Sequence, residues 1–418
     1  MLTKKGRLVS ARGGYKPPLL GLQTLPSLGR TLLSPRHLSS SPKAKAQKGR
    51  PSWDERWIAQ IRSWDWQTIG LILGIKLLIL SFGVQAVAAM SESHPGWLEI
   101  WNHWDSVHYL GLAKWGYAAV GDTKVSLVFF PLYPWLVRGF AFFVRDYMAA
   151  AIVVSGLAAI ATGLLFKRLV ACDETEEVAS GAVWFLFIFP TSFFLHIPYT
   201  ESLFLSLTCG CFLAARKEQW HLAGLLGAGA CLTRVNGLVL MPALATEVLL
   251  QLWRTRRINW RWLWLGLVPL GFLGYLWLNH EVTGDFFAFT KIMQEHWYKK
   301  FASPWFGVHD VYLRARGMNI NEGLNEFVGE ILITGAMIGS WFRLRASYSV
   351  WITLNWFLIN STAFVLSVPR YALTLFPMFI LFAIGVRGRR VCYALLTIWS
   401  LLYLALYTGR FAQGLWAF

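Results

Sequence analysis

Long apolar segments alternate with short, mostly basic segments along most of this 418-residue chain. The apolar runs are roughly 17–24 residues long, and about 20 helical residues span the hydrocarbon core of a bilayer. The pattern predicts an all-α polytopic membrane protein with about eleven transmembrane helices. The predicted crossings are residues 67–90, 148–170, 181–196, 203–215, 220–233, 237–252, 262–279, 325–341, 348–366, 371–384 and 393–407.

The charge distribution divides the chain into a tail and one membrane domain. The net charge is +17, but residues 1–53 alone hold eleven Lys or Arg and no Asp or Glu. The other basic residues form short clusters between apolar runs, as cytoplasmic loops do, so nucleic acid is a poor candidate partner. We predict a disordered basic tail over residues 1–56 and a single polytopic domain over residues 57–418. The tail could be a transit peptide, a cytoplasmic extension or an over-long start.

The basic clusters also predict the side of the membrane on which each loop lies. The basic tail sets the N-terminus inside, and clusters such as RTRRINWR (residues 254–261) mark later inner loops. Residues 91–145 and 280–324 then become two long outer loops, and the C-terminus lies outside. The first outer loop shares its side with four polar motifs, which predicts a single outward-facing site. The motifs are IPYTES (197–202), TRVN (233–236), TGDFFAF (283–289) and SVPRY (367–371).

The first outer loop carries the clearest candidate for chemistry, Asp105 in WNHWDSVHYLGLAKWGY. At helical spacing one stripe is aromatic and apolar, as in an amphipathic helix lying in the membrane interface, and Asp105 falls on its edge. The stripe comprises Trp101, Trp104, His108, Leu112 and Trp115. An anchor helix with a merely solvated Asp105 is the alternative. Two prolines in FFPLYP (129–134) predict a partly re-entrant hairpin after this helix.

Three further charged residues stand at the edges of apolar runs. Glu201 is expected to face a polar cavity or to cap a helix. Arg234 needs an anionic partner, because a charge at membrane depth is unfavourable by about 2.5–3.5 kcal/mol or more. That partner could be a substrate or an internal carboxylate such as Glu201. Arg370 could bind an anion or only extend its charge towards water.

The second outer loop contains charged and aromatic residues in TGDFFAFTKIMQEHWYKKFASPW. Asp285, Lys291, His296 and Lys299 could form a phosphate clamp, whereas an amphipathic surface helix is the simpler interpretation. The five cysteines lie in or beside apolar segments without metal-ligand spacing, so we expect them to be core residues.

Nucleotide and metal motifs are absent from the sequence: it has no Gly-rich phosphate loop, GxGxxG, DxD or HExxH. No resident cofactor or metal site is predicted, although a divalent cation is not excluded. A lipid-linked phosphate donor suits an outward site at the interface better than a soluble nucleotide.

The motifs together resemble the integral-membrane mannosyltransferases similar to the eukaryotic PIG-V enzyme, including bacterial relatives. They occur in family order over roughly residues 97–378: WNHWDSVHYLGLAKWGY, FFPLYP, FPTSFFLHIPYTESLF, LTRVNGLVLMP, TGDFFAFTKIMQEHW and VPRYALTLFP. This family belongs to the GT-C class of polytopic glycosyltransferases, which use polyprenyl-phosphate sugars and place a functional Asp in the first outer loop. Asp105 matches that position.

The resemblance implies an inverting transfer of mannose from a polyprenyl phosphate to a hydroxyl of a glycan or glycolipid acceptor. Asp105 would be the base, and Arg234, Arg370 and Lys291 would receive the phosphate. The substrate-orienting candidates are His108, Tyr199, Glu201, Asp285 and His296. The membrane would be a bacterial cell membrane or the endoplasmic reticulum, with membrane lipids around the protein. A flippase for lipid-linked saccharides and a glycan ligase or polymerase are the alternatives.

Overall fold

The computed structural model describes residues 65–89, 96–317 and 320–418. The basic tail predicted over residues 1–56 lies outside the described residues. Within them the chain is helical, with no β-strand and one isolated bridge between Phe301 and Thr362. In chain order the α-helices are α1 Trp66–Ala88, α2 Asp105–Trp115, α3 Leu132–Val144, α4 Tyr147–Val170, α5 Glu176–Ile188, α6 Glu201–Arg216, α7 Trp220–Cys231, α8 Leu240–Thr255, α9 Val268–Thr283, α10 Ala288–His296, α11 Pro304–Arg316, α12 Ile320–Arg343, α13 Ala346–Asn360, α14 Val368–Ala372, α15 Phe376–Val386 and α16 Arg390–Ala412.

Helices lie at all the predicted crossings, so the all-α prediction is confirmed for the described residues. Five helical segments there are long and apolar enough to cross a membrane, by length and composition. They are Trp66–Ala88, Tyr147–Val170, Val235–Thr255, Trp260–Thr283 and Arg390–Ala412, two of which begin with a 3-10 turn. The remaining predicted crossings correspond to shorter helices or, in α12, to a helix that carries buried carboxylates.

Several predicted crossings have the wrong boundaries, and proline explains two of them. The crossing at residues 181–196 is really α5, which ends at Ile188 before Pro190, and a separate 3-10 turn follows at Ser192–Leu195. The crossing at residues 371–384 is divided into α14 and α15, because Pro377 starts a new helix rather than continuing the old one.

Helix α6 is buried along almost its whole length and packs against α4 and α7. Small residues on α4 permit close approach, as is usual between membrane helices. At Gly163 a Cβ atom would lie 2.3 Å from the Cδ1 atom of Ile72 on α1, so a larger residue there would displace that side chain. The hydroxyl of Thr162 also donates to the carbonyl of Ser202 at 2.8 Å. This hydrogen bond joins α4 to the start of α6, where Glu201 lies.

Each end of α6 lies in its own cluster of charged residues. Glu201 begins the helix, and Arg216 ends it beside Asp173 and the hydroxyl of Tyr348. At 1.5 Å per residue the two ends are about 22 Å apart. The cluster around Glu201 is therefore well separated from the basic loop residues at the other end.

The predicted aromatic stripe of the first outer loop is wrong in part. Trp101 belongs to a separate 3-10 turn, and Trp104 has a positive φ of 55°, so α2 starts anew at Asp105. Because α2 begins at Asp105, its buried face differs from the predicted stripe. The buried residues of α2 are Ser106, Tyr109, Leu112 and Ala113, whereas Trp104 and Trp115 are exposed.

The hairpin predicted at FFPLYP has a clear local structure. A 3-10 helix at Asp122–Val128 leads through an extended Phe129 into α3. The guanidinium of Arg138 on α3 donates to the carbonyl of Ala113 at 2.6 Å, which joins α3 to the last turn of α2. The backbone N–H of Leu132 donates to the carbonyl of Leu232 at 3.0 Å. Depth in a membrane stays a prediction.

Candidate active site

Arg370 connects two carboxylates from distant parts of the chain. Its Nη1 atom lies 2.6 Å from Oδ2 of Asp105, and its Nε atom lies 2.6 Å from Oε1 of Glu201. Arg370 is nearly buried, which contradicts the alternative in which its charge only extends towards water. The alternative of a merely solvated Asp105 is also wrong, because this carboxylate is paired.

Arg234 completes the cluster from the other side of Glu201. Its Nη1 atom lies 2.9 Å from the same Oε1 oxygen, so the internal salt bridge allowed by the sequence is present. Glu201 is fully buried and its Oε2 has no hydrogen-bond partner among the described residues. Asp105 and Arg234 keep 18% and 12% of their side chains exposed. The cluster is therefore reached from outside at Asp105 and Arg234.

Helix ends position both carboxylates. Asp105 is the first residue of α2 and Glu201 the first residue of α6, where unpaired backbone N–H groups favour negative charge. Arg234 precedes the 3-10 turn Val235–Val239, and Arg370 lies in the five-residue helix α14. Two cations and two carboxylates leave the cluster with no formal net charge. An anionic ligand that binds either arginine here therefore does so beside two carboxylates.

Two aromatic rings pack against the guanidinium of Arg370. Its guanidinium carbon lies 4.7 Å from the ring centre of Tyr199 and 5.1 Å from that of Phe194. The hydroxyl of Tyr199 donates to the carbonyl of His103 at 3.2 Å. Cation–π contact and this hydrogen bond hold the guanidinium plane in one orientation. Tyr199 therefore contacts the cluster directly, as its place in IPYTES suggested.

His108 lies one helical turn after Asp105 on α2. Its Nδ1 atom is 2.9 Å from the hydroxyl of Ser126, and its ring stacks on Phe129 at 4.8 Å. Trp297 of the second outer loop packs edge-on against it at 5.7 Å. Burial lowers the pKa of His108 below its ordinary value of 6.5, and the charge of Asp105 opposes the shift. The imidazole is consequently neutral at pH 7.

The remaining predicted site residues lie apart from the cluster. Lys291 pairs with Asp285 at 2.7 Å on the surface, and His296 is exposed at the end of α10. The hydrogen bond from Lys291 lowers the pKa of Asp285, and the same pair raises the pKa of Lys291. None of the described contacts of these three residues reaches the charged cluster. Helix α10 has the form of an amphipathic surface helix, with Ala288 and Ile292 buried.

Lys299 and Tyr371 extend the cluster on the Arg234 side. The Lys299 ammonium lies 3.2 Å from the Tyr371 hydroxyl oxygen, and the Arg234 guanidinium carbon is 5.8 Å from the centre of the Tyr371 ring. Tyr371 has no role in the sequence interpretation, although its place beside Arg370 in SVPRY is a usable signal.

Glu326 is a second residue without a sequence-based role. It is buried on α12 and accepts hydrogen bonds from the backbone N–H groups of Ser367 and Val368 at 2.8 and 2.7 Å. Those residues begin α14, which carries Arg370. The pattern NEFVGEI, with two carboxylates four residues apart in an apolar run, is the signal that could have identified it.

A metal site is not evident in the described ranges, where no three His, Cys, Asp or Glu residues are grouped to hold an ion. Asp105 and Glu201 are the nearest candidates, and Arg370 already occupies both. A divalent cation at this position would have to displace that guanidinium.

Comparison with known proteins gives a match at the level of the fold. No family model and no curated protein sequence matches the chain. Among solved structures it is similar to ArnT from Cupriavidus metallidurans bound to undecaprenyl phosphate, with a TM-score of 0.51 and 11% identity. The match covers 82% of this chain and 78% of ArnT. The chain therefore shares the helical fold of ArnT over most of its length.

Proposed function

We propose that this membrane protein is an inverting mannosyltransferase that uses a polyprenyl-phosphate sugar as donor. One observation carries the proposal: Arg370 holds Asp105 and Glu201 in a fold shared with a protein whose solved structure contains undecaprenyl phosphate. Two arginines beside a partly exposed carboxylate provide the two functions that the reaction needs, a phosphate site and a base. Mannose as the sugar rests on the resemblance to the PIG-V-like family.

In the proposed reaction the acceptor hydroxyl attacks the anomeric carbon of the donor. A new carbon–oxygen bond forms while the bond from that carbon to the phosphate oxygen breaks, so a β-linked sugar becomes α-linked. The hydroxyl proton passes to Asp105, which contributes about 10²–10⁴-fold. The electron pair leaves with the phosphate, and Arg370 and Arg234 stabilise its growing charge at a site of low dielectric.

The other predicted residues take supporting roles in this proposal. Tyr199 and Glu201 orient the substrates through Arg370, which both of them contact. His108 lies one turn from Asp105 and is neutral. Its Nε2 atom can donate a hydrogen bond to a sugar hydroxyl or accept one from it. Lys291, Asp285 and His296 remain predictions for the rim, since their described contacts supply no further support.

The proposed site faces the outside of a bacterial cell or the lumen of the endoplasmic reticulum. The main support is the separation along α6, where Glu201 and the basic end at Arg216 are about 22 Å apart. Basic residues are typical of the cytoplasmic side, so the opposite end of α6 is assigned outward. A donor held in that leaflet could reach the cluster without leaving the bilayer.

The proposal is tested with purified full-length protein in lipid nanodiscs and a polyprenyl phosphate carrying radiolabelled mannose. Candidate glycan and glycolipid acceptors are added, and both labelled product and released polyprenyl phosphate are measured. We expect one mannose to be transferred to the acceptor for each polyprenyl phosphate released. Asp310→Asn is a control for Asp105→Asn, because Asp310 has no assigned role in the site and forms its described ion pair with Arg314 on α11. In sealed proteoliposomes, labelled lipid that crosses the membrane intact would instead favour a flippase. In either preparation, transfer from a sugar nucleotide alone would contradict the proposed donor.

A further inference from the structure

Lys299 is the cation of this region that has no carboxylate partner. Among the described residues no Asp or Glu oxygen lies within 4.0 Å of its ammonium, whereas Arg234 and Arg370 both bind Glu201. Its described side-chain contacts are the hydroxyl of Tyr371 at 3.2 Å and the face of the same ring at 5.1 Å. Glu326, the buried carboxylate nearby, uses both oxygens on backbone N–H groups. The ammonium of Lys299 therefore makes its described direct contacts with a neutral phenol, and the charge of Glu326 acts on it only at longer range.

Hydrogen bonds hold the backbone around Lys299, whereas its side chain is held by Tyr371 alone among its described direct contacts. The carbonyl of Lys300 accepts from Ala363 N–H at 2.8 Å, and the isolated bridge joins Phe301 to Thr362. This pairing holds the second outer loop beside the segment that leads into α14. The lysine stem has four rotatable bonds, so its ammonium can move several ångströms without any change in the backbone.

Tyr371 connects Lys299 with the two arginines. Its ring lies beneath the guanidinium of Arg234, and its backbone follows directly after Arg370. An anion that touches both arginines is thus adjacent to the Tyr371 hydroxyl that Lys299 now contacts. A phosphate oxygen is a stronger acceptor for an ammonium than a neutral phenol oxygen, because the bond is charge-assisted.

We propose that Lys299 is the third cation of the donor-phosphate site, exchanging the Tyr371 hydroxyl for a phosphate oxygen of the polyprenyl donor. This inference rests on the proposed function. It assigns to Lys299 the role that the sequence suggested for Lys291, whose ammonium is paired with Asp285 on the surface. The long outer loop then contributes directly to donor recognition through one residue.

Binding of polyprenyl phosphate to the full-length protein in nanodiscs tests this role without turnover. Lys299→Ala should weaken binding about ten- to a hundredfold, the loss expected for one charge-assisted hydrogen bond. Lys300→Ala is the matched control, since it removes the same charge from an exposed neighbour, and should change binding less than about twofold. Lys299→Arg should retain most of the affinity.

Tyr371→Phe tests whether Lys299 binds phosphate or only holds its loop in place through the Tyr371 hydroxyl. It keeps the ring and removes the hydroxyl, so binding should be unchanged or tighter if Lys299 acts on phosphate. Loss equal to that of Lys299→Ala would show a tether and overturn the inference. Phosphatidylglycerol, a second lipid phosphate, should bind equally well to wild type and Lys299→Ala; equal weakening of both lipids would also overturn it. Absence of polyprenyl phosphate binding in the wild type would contradict the proposed function itself.

Discussion

The carboxylate of Glu326 accepts a hydrogen bond of 2.7 Å from the backbone N–H of Val368, 42 residues further along the chain. Its other oxygen accepts from Ser367, whose φ of 70° is unusual for a residue other than glycine. Glu326 thus replaces the missing intrahelical partners at the start of α14 and holds Ser367 in its turn. Arg370 is thus positioned by Glu326, which has no described hydrogen bond or ion pair with Arg370, Arg234, Asp105 or Glu201.

Glu326→Ala should lower both stability and transfer. It leaves two buried N–H donors unpaired, at about 1–3 kcal/mol each in the free energy of unfolding, and releases the turn before Arg370. Glu330→Ala is the matched control: Glu330 is also buried on α12, but it bonds Trp356, Asn360 and Thr334. At a temperature where both variants remain folded, only Glu326→Ala should raise the KM for donor. Equal KM values would remove Glu326 from the positioning of Arg370.

Asp105→Asn should lower turnover about 10²–10⁴-fold, because the amide keeps the shape of the side chain but cannot take a proton. Donor binding should change less, since the arginines remain. Initial rates at matched protein abundance, with and without EDTA, are the measurement. A variant that keeps more than about a tenth of the wild-type rate would exclude Asp105 as the base. If EDTA reproduces the loss in wild type, Asp105 acts on a cation instead.

Arg370→Ala and Arg234→Ala should both weaken donor use, but not equally. Without Arg370, Asp105 loses its partner and Glu201 keeps only Arg234; without Arg234, both carboxylates still contact Arg370. Removing one partner of a buried ion pair typically lowers stability by about 3–5 kcal/mol. We therefore expect the larger rise in donor KM and the larger fall in melting temperature for Arg370→Ala. A donor KM unchanged in both variants would contradict a phosphate site here.

Cysteine labelling tests the predicted orientation. In a background without native cysteines, a cysteine at position 122 should react with an impermeant reagent in intact cells or sealed vesicles of the right orientation. A cysteine at position 257, within the basic segment 254–261, should react only after permeabilisation. The reverse pattern would contradict the topology and move the site to the cytoplasmic face.

His108 should make the folded protein less stable in mild acid. Its pKa is lowered in the folded state, so the unfolded chain binds the proton first as the pH falls through 6.5. The stabilisation is complete above that value and is lost progressively down to the pKa of the folded state. His108→Phe, which retains stacking on Phe129, should remove this part of the pH dependence. Identical slopes of melting temperature between pH 7 and 5 would show that His108 does not contribute.

The helices were predictable from the sequence because long apolar runs determine them almost alone. The ends of α5 and α14 were not, since short turns at proline depend on neighbouring packing. Within the site, Arg234 had to have an anionic partner, and Glu201 was among the candidates considered. The bridging place of Arg370 could not be predicted, because residues 201 and 370 come together only through tertiary packing.

Lys291 and Lys299 illustrate the limit of prediction within one loop. Both lie in the same aromatic and basic stretch, and local sequence gives no reason to choose between them. The choice depends on which lysine meets a carboxylate, and Asp285 lies next to Lys291 only because the turn before α10 brings it there. The spacing of apolar residues along the chain does not predict which lysine will pair with a carboxylate.

The contact of 2.6 Å between Arg370 and Asp105 has a consequence for the order in which substrates join the enzyme. Arg370, which we propose binds the donor phosphate, is also the residue that pairs with Asp105, the proposed base. An acceptor that arrives first meets an aspartate already engaged, whereas a donor phosphate draws Arg370 away and frees it. Steady-state kinetics should therefore be sequential with the donor leading, and polyprenyl phosphate should be the last product released, competitive with donor and noncompetitive with acceptor.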